Sequence, residues 1–139
     1  MTKERLAKIA KEVLFWVITL FVALVCLRSG LMKMPGMSGE QFWIRDFQRW
    51  GYPDWFRIIV GAAELIAFAL LLIPRTAGYG AVVFALIMLG AIFTHATHNE
   101  FNRLPFNFLL FTLSLIIFFA RQPILLKRIR KQSATQKQE

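Results

Sequence analysis

The chain has 139 residues, enough for one small domain, and 57% of them are hydrophobic. That share, with a positive mean hydropathy, favours a membrane protein over a soluble globular one. The net charge of +9 does not predict a nucleic-acid partner, because the basic residues cluster at the two ends of the chain, where anionic lipid accounts for them. Cys26 is the only cysteine, which excludes an intrachain disulfide and Cys-x-x-Cys thiol chemistry.

Four apolar runs dominate the chain, at residues 13–32, 55–73, 78–95 and 104–120. Each is near or within the roughly 17 to 25 residues that a helix needs to cross a hydrocarbon core of about 30 Å. The sequence therefore predicts an all-α integral membrane protein that crosses the lipid bilayer as a four-helix bundle over residues 13–122.

Basic residues flank the first and fourth runs and separate the second from the third. They are Lys3, Arg5, Lys8, Lys11, Arg75, Arg121, Lys127, Arg128, Arg130, Lys131 and Lys137. By the positive-inside rule, both termini are cytoplasmic. Residues 1–12 are expected to form a basic helical lead-in. Residues 123–139 are expected to form a basic tail, interfacial over 124–131 and disordered over 132–139.

Residues 39–50, between the first two spans, have the pattern of a short amphipathic helix. Trp43 and Trp50 lie two turns apart on one face, with a phenylalanine between them, and charged residues occupy the other face. Ser38 and Gln41 have the spacing of a capping box. We expect this interfacial helix on the outer leaflet. Whether it only anchors the chain or covers a pocket stays open.

The second span carries an acid, Glu64, near its middle, where an ionised carboxylate in contact with hydrocarbon is costly. Arg57, Gly61 and Glu64 share one helix face, so this face is expected to contact protein. Arg28, near the outer end of the first span, is long enough to turn inward and neutralise Glu64. The alternative is that Arg28 extends to the headgroups.

The third span contains small residues that permit close helix contact, and two histidines lie at its outer end. His95 and His98 are weak candidates for a metal site, and we expect no metal. His95 is the better candidate for proton chemistry. On the fourth span, Asn107 belongs to a polar and aromatic stripe expected to face inward, either towards a ligand or as an ordinary packing face.

Six side chains are thus expected in the outer half of the bundle, where buried ionisable groups usually bind a ligand or handle protons. They are Glu64, Arg28, Arg57, His95, Lys33 and Asn107. Glu64 is expected to face Arg28, Arg57 and His95. No phosphate-binding loop, nucleophile elbow or zinc-protease signature is present, so no catalytic residue is assigned.

Several motifs, in this order, resemble the DoxX family of membrane proteins. They are Gly30-Leu-Met-Lys33, Trp50-Gly-Tyr-Pro53, Gly61-Ala-Ala-Glu64, Leu72-Ile-Pro-Arg75 and Gly90-Ala-Ile-Phe-Thr-His95. The resemblance covers about residues 15–122 and implies a four-helix bundle of the bacterial inner (cytoplasmic) membrane. Some relatives are linked to thiosulfate oxidation coupled to quinone, others to membrane-bound oxidoreductase complexes, and animal relatives to receptor assembly.

Three functions are compatible with these features. The first is a redox-associated subunit that binds quinone or a similar amphiphile in an outer-half pocket. Its electrons would come from an oxidoreductase partner, since the sequence has no haem, iron–sulfur or nucleotide motif. The second is a non-catalytic assembly or structural factor in which Arg28 and Glu64 fix helix register. The third, less favoured, is a small proton-coupled transporter. Homo-oligomerisation stays open.

Overall fold

The computed structural model describes residues 2–121 and 124–138, and within these ranges the regular secondary structure is all α-helical, with six helices and no strand. The helices are α1 (Lys3–Met32), α2 (Glu40–Arg49), α3 (Asp54–Leu72), α4 (Ala77–Thr97), α5 (Leu104–Ala120) and α6 (Ile124–Gln136). The predicted all-α class is therefore confirmed. Residue 1 of the predicted lead-in, residue 122 at the end of the predicted bundle, and residues 123 and 139 of the predicted tail lie outside the described residues.

Three of the described helices, α1, α3 and α4, are long and apolar enough to cross a membrane. Helix α5 is equally apolar but has 17 residues, the short end of the range for a span. Large hydrophobic side chains on the outer surfaces of these helices are exposed, as contact with lipid requires; examples are Leu24, Ile66, Leu86 and Phe119. The chain is a multi-pass α-helical membrane protein.

The four apolar helices pack around a common core. Helix α1 packs against α3, α3 against α4, α4 against α5, and α5 against α1. The core side chains include Val22, Cys26, Leu71, Phe84 and Ile117. Outside this core, α2 lies against the start of α3, and we call the end of the protein that carries α2 the α2 end.

Helix α1 is continuous over 30 residues, about 45 Å long. It begins at Lys3, where the Thr2 side chain accepts a hydrogen bond from the Arg5 backbone N–H at 3.3 Å. The lead-in predicted for residues 1–12 and the span predicted from residue 13 thus belong to one unbroken helix. A helix of this length exceeds a hydrocarbon core of about 30 Å, so its basic first turns extend beyond the apolar region.

Glycines bring the helices into close contact at the α2 end. A Cβ atom at Gly61 of α3 would lie 2.6 Å from Met34 Cε and 2.8 Å from Lys33 Cβ. One at Gly30 of α1 would lie 2.9 Å from the Gly61 carbonyl oxygen. Only glycine fits at both positions, and the contact sets the C-terminal turn of α1 directly against the middle of α3.

Helix α2 is amphipathic, but it does not begin with the predicted capping box. Its N-cap is Gly39, at a φ of 94°, and no side chain caps the helix. Instead, Glu40 Oε2 accepts a hydrogen bond from the Gly36 backbone N–H at 2.9 Å. Glu40 also pairs with Arg57, so the acid holds the preceding loop and α3 together.

Helix α6 corrects the prediction for the tail. It runs to Gln136, whereas disorder was expected from residue 132. The Thr135 hydroxyl donates to the Lys131 carbonyl at 3.0 Å. Residues 132–136 are polar enough to suggest disorder, but their glutamine and alanine residues are also good helix formers.

Candidate ligand-binding site

A cavity of about 980 Å³ lies beneath α2, with walls from α1, α3, α4 and α5. That volume is at the upper end of the roughly 300 to 1,000 Å³ typical of small-molecule sites. Its wall also includes exposed apolar side chains, namely Phe42, Leu86, Phe93 and Phe106. The cavity is therefore continuous with the apolar surface of the protein, and an amphiphile can reach it from that surface.

A buried ion pair lies in the wall between α1 and α3. Lys33 Nζ lies 2.9 Å from Glu64 Oε2 and 3.2 Å from Oε1, and both side chains are 3% exposed. The Ser29 hydroxyl donates to Glu64 Oε1 at 3.1 Å and accepts from Lys33 Nζ at 2.6 Å. The close approach at Gly30 and Gly61 brings these three side chains together, so the carboxylate is hydrogen-bonded despite its burial.

The predicted pairing of Arg28 with Glu64 is wrong, because Lys33 takes that place. Arg28 is exposed, and within the described part of the chain it forms no ion pair. Helix geometry explains the difference, since Arg28 and Lys33 are five residues apart and hence about 140° apart around α1. The contact face of α1 passes through Cys26, Gly30 and Lys33, and Arg28 lies beside it on the cavity wall.

Arg57 does not contact Glu64 either. Its guanidinium binds both carboxylate oxygens of Asp54, at 2.9 and 3.2 Å, and lies 3.3 Å from Glu40 Oε1. It also donates to the Lys33 backbone carbonyl. Arg57 precedes Glu64 by two helical turns, about 10 Å, and its side chain points towards the N-terminus of α3, away from Glu64. Arg57 instead fixes the end of α1 and the start of α2 against α3.

His95 forms part of a charged cluster that attaches α2 to the α4–α5 connection. It does not make the predicted contact with Glu64. His95 Nδ1 donates to Glu100 Oε2 at 2.6 Å. Arg49 of α2 binds both Glu100 and Asp46, and Arg103 lies 2.7 Å from Asp46 Oδ2. Partial burial acts to raise the pKa of Glu100, but the His95 hydrogen bond and the charges of Arg103 and Arg49 outweigh it and lower that pKa.

The two histidines have separate partners among the described residues. His98 Nδ1 donates to the Thr94 carbonyl at 2.8 Å, while His95 is bound to Glu100. Among residues 2–121 and 124–138, no three His, Cys, Asp or Glu side chains are arranged to hold a metal ion.

Three buried nitrogen donors on the cavity wall lack an acceptor. They are the indole nitrogens of Trp43 and Trp50 and the side-chain amide nitrogen of Asn107, none of which has a hydrogen-bond partner among the described residues. Asn107 is 9% exposed. Unpartnered buried donors are uncommon and costly, so three in one cavity require a physical explanation.

The tryptophans also contact the ionisable residues. Lys33 Nζ lies 3.7 Å from the centre of the Trp43 ring, a cation–π contact. The Trp50 ring packs edge-on to His95, with centroids 5.2 Å apart. Each unpartnered indole is therefore adjacent to one of the predicted site residues, and α2 forms part of the cavity wall.

Five of the six predicted site residues line this cavity: Arg28, Lys33, Glu64, His95 and Asn107. Arg57 does not. Ser29 was not among the predicted site residues, although its position one turn before Lys33 on the same face was a usable signal. Trp43 and Trp50 were predicted on one face of an interfacial helix, but nothing in the sequence indicated that their N–H groups would be buried without partners.

The fold and this site define a multi-pass α-helical membrane protein with a polar, aromatic cavity at one end. A family model described as the DoxX-like family matches residues 17–117, from the middle of α1 to near the end of α5. The chain belongs to the DoxX-like family. Comparison with curated proteins gave no match, and comparison with solved structures gave none.

Proposed function

We propose that this protein is a membrane subunit associated with redox chemistry and that it binds quinone, or a similar amphiphile, in the cavity beneath α2. The observation that carries the proposal is the combination of a cavity continuous with the apolar surface and a wall bearing buried polar groups. An amphiphile matches both halves of this environment, with its tail against the exposed aromatic side chains and its headgroup among the donors.

The residues present fit such a headgroup. The unpartnered indole nitrogens of Trp43 and Trp50 offer hydrogen bonds to carbonyl oxygens, and Asn107 adds an amide. The aromatic rings of α2 provide flat apolar surface for a ring to stack on. A bound quinone would accept electrons and protons. The chain's own part is to bind and orient the headgroup and, through the ionisable groups on the wall, to exchange protons with it.

We also propose an orientation of the protein in the membrane. With four helices spanning the bacterial inner membrane and both termini in the cytoplasm, the α2 end faces outwards, consistent with the concentration of basic residues at the opposite end. Electrons would then come from an oxidoreductase partner subunit. Assembly as a homo-oligomer is compatible with this arrangement.

The direct test is ligand-dependent stabilisation in mild detergent. At a decylubiquinone concentration of about 100 times Kd, binding should stabilise the folded protein by about 2.7 kcal/mol. Ala91→Phe, which places a ring in the cavity, should abolish the thermal shift, whereas Ala62→Phe on the exposed face of α3 should not. Equal shifts in both variants, or no shift in the wild-type protein, would overturn the proposal.

A structural or assembly role is the second candidate, and the Lys33–Glu64 pair favours it. The pair is hydrogen-bonded within itself and to Ser29, at the closest contact between α1 and α3. A pair of this kind can specify helix register without binding anything. If packing is its only role, the variant Lys33→Met/Glu64→Leu should keep both wild-type stability and the wild-type quinone shift. Loss of the shift in a stable double variant would place the pair in the ligand site.

A further inference from the structure

The unpartnered polar atoms around the cavity have one polarity. Each of the buried side-chain nitrogen or oxygen atoms that lack a partner, among the residues that the structure describes, is a nitrogen donor, and all three lie on the cavity wall. The wall carboxylate is already engaged, because Glu64 accepts hydrogen bonds from both Lys33 and Ser29. Among its fully buried side-chain atoms, the site therefore has unpartnered donors and no unpartnered acceptor.

Two of these donors are unambiguous. An indole Nε1–H can donate but cannot accept, whereas the Asn107 amide can do either. Trp43 and Trp50 therefore each need a hydrogen-bond acceptor, in either orientation of the Asn107 side-chain amide. They lie two helical turns apart, about 10 Å along α2, one beside Lys33 and the other beside His95. A headgroup that satisfies both must carry acceptor atoms on more than one side.

We propose that Trp43 and Trp50 make the cavity selective for headgroups whose oxygens only accept hydrogen bonds, so that an aryl diketone binds more tightly than its reduced, dihydroxy form. The inference deepens the proposed function and depends on it. A carbonyl oxygen accepts from an indole and brings no proton of its own. A hydroxyl can also accept, but its own proton then needs an acceptor, which an indole N–H group cannot be. Burying an unmatched hydroxyl proton weakens binding.

The test compares the two redox forms of one ligand, so that apolar surface is the same in both. Dissociation constants for decylubiquinone and for its dihydroxy form would be measured by thermal shift and by fluorescence in oxygen-free detergent solution. We expect the oxidised form to bind about tenfold more tightly to the wild-type protein. In the variant Trp43→Phe/Trp50→Phe, affinity for the oxidised form should fall by about four- to fiftyfold and the ratio of the two affinities should approach one.

The proposal is tested by the ratio of the affinities for the oxidised and dihydroxy forms, and not by either affinity alone. Replacing tryptophan by phenylalanine removes surface as well as an N–H group, but lost surface weakens both redox forms alike. Trp55→Phe is the matched control, because Trp55 is 61% exposed and does not line the cavity, and it should leave both affinities unchanged. Circular dichroism of each variant establishes that it is folded.

Each outcome is decisive. Preference for the oxidised form that disappears in the double variant supports the proposal. Equal affinities in the wild-type protein, or a preference that the double variant retains, overturns the donor selectivity while leaving quinone binding in place. If neither form binds to the wild-type protein, the proposed function fails and the selectivity fails with it.

Discussion

Removal of Lys33 should be far more damaging than removal of Arg28, although the two cations are close in sequence. Lys33→Met leaves the Glu64 carboxylate 3% exposed, with only the Ser29 hydroxyl as a partner. Breaking one half of a buried ion pair costs about 3–5 kcal/mol, because the other charge stays buried without compensation. Arg28→Met removes an exposed side chain, and substitutions of that kind change stability by about 0.5 kcal/mol or less.

The measurement is reversible unfolding by SDS in mixed micelles, followed by tryptophan fluorescence, for the wild-type protein and both variants. The variant Lys33→Met/Glu64→Leu provides the internal control. Because it removes both charges together, it should recover most of the stability that Lys33→Met loses. Two results would contradict this explanation. One is an equal loss of unfolding free energy in Arg28→Met and Lys33→Met. The other is a loss in the double variant equal to the sum of the losses for Lys33→Met and Glu64→Leu alone.

Three further predictions concern the contacts around the cavity. Gly61→Ala should cost about 1–3 kcal/mol, because its Cβ would lie 2.8 Å from Lys33 Cβ and 3.0 Å from the Gly30 carbonyl oxygen. Gly90→Ala, with nothing within 4 Å, should instead stabilise α4 by about 0.5–1 kcal/mol. Equal effects of the two substitutions in chemical denaturation would contradict the close contact at Gly61. The lowered pKa of Glu100 means that its stabilisation of α2 is present above the ordinary carboxyl pKa of about 4.3 and is lost as the pH falls through the lowered value. Trp50 fluorescence should report this loss, and Glu100→Gln should abolish the pH dependence; an unchanged acid transition in that variant would assign it to another group. Arg57→Lys should lower the stability of the fold by about 1–3 kcal/mol, since one ammonium cannot replace the contacts with Asp54, Glu40 and the Lys33 carbonyl. Hydrogen exchange should show faster opening of α2 in this variant. Protection of α2 equal to that in the wild-type protein would disprove the role of Arg57 in holding α2 against α3.

The helices were predictable because hydrophobic runs and their flanking residues are local signals. Apolar length indicated membrane helices, and the aromatic spacing of residues 39–50 indicated an amphipathic helix, which the structure has at Glu40–Arg49. Helix ends were harder. The capping box at Ser38 was wrong because the Gly39 backbone, at a φ of 94°, starts the helix without a side-chain cap. The continuation of α6 to Gln136 was missed because composition alone does not separate a solvated helix from a disordered segment.

The membership of the site was more predictable than its internal contacts. Glu64 stood out because an acid in an apolar span needs a partner, and five of the six predicted residues do line one cavity. The partner itself depends on helix rotation. Arg28 and Lys33 are both near the end of α1, and only the Gly30–Gly61 contact determines which of them faces α3. The unpartnered indole nitrogens depend on how α2 lies over the cavity, a long-range property that no local pattern encodes.

The central claim, that the cavity beneath α2 holds the headgroup of an amphiphile, is tested most directly by photoaffinity labelling with an azido-quinone, followed by peptide mapping. We expect labelled residues on α2 and on the cavity-lining turns of α4 and α5, and we expect excess decylubiquinone to suppress the labelling. Labelling confined to outward-facing residues such as Val17 and Leu24 of α1, and insensitive to competitor, would contradict it.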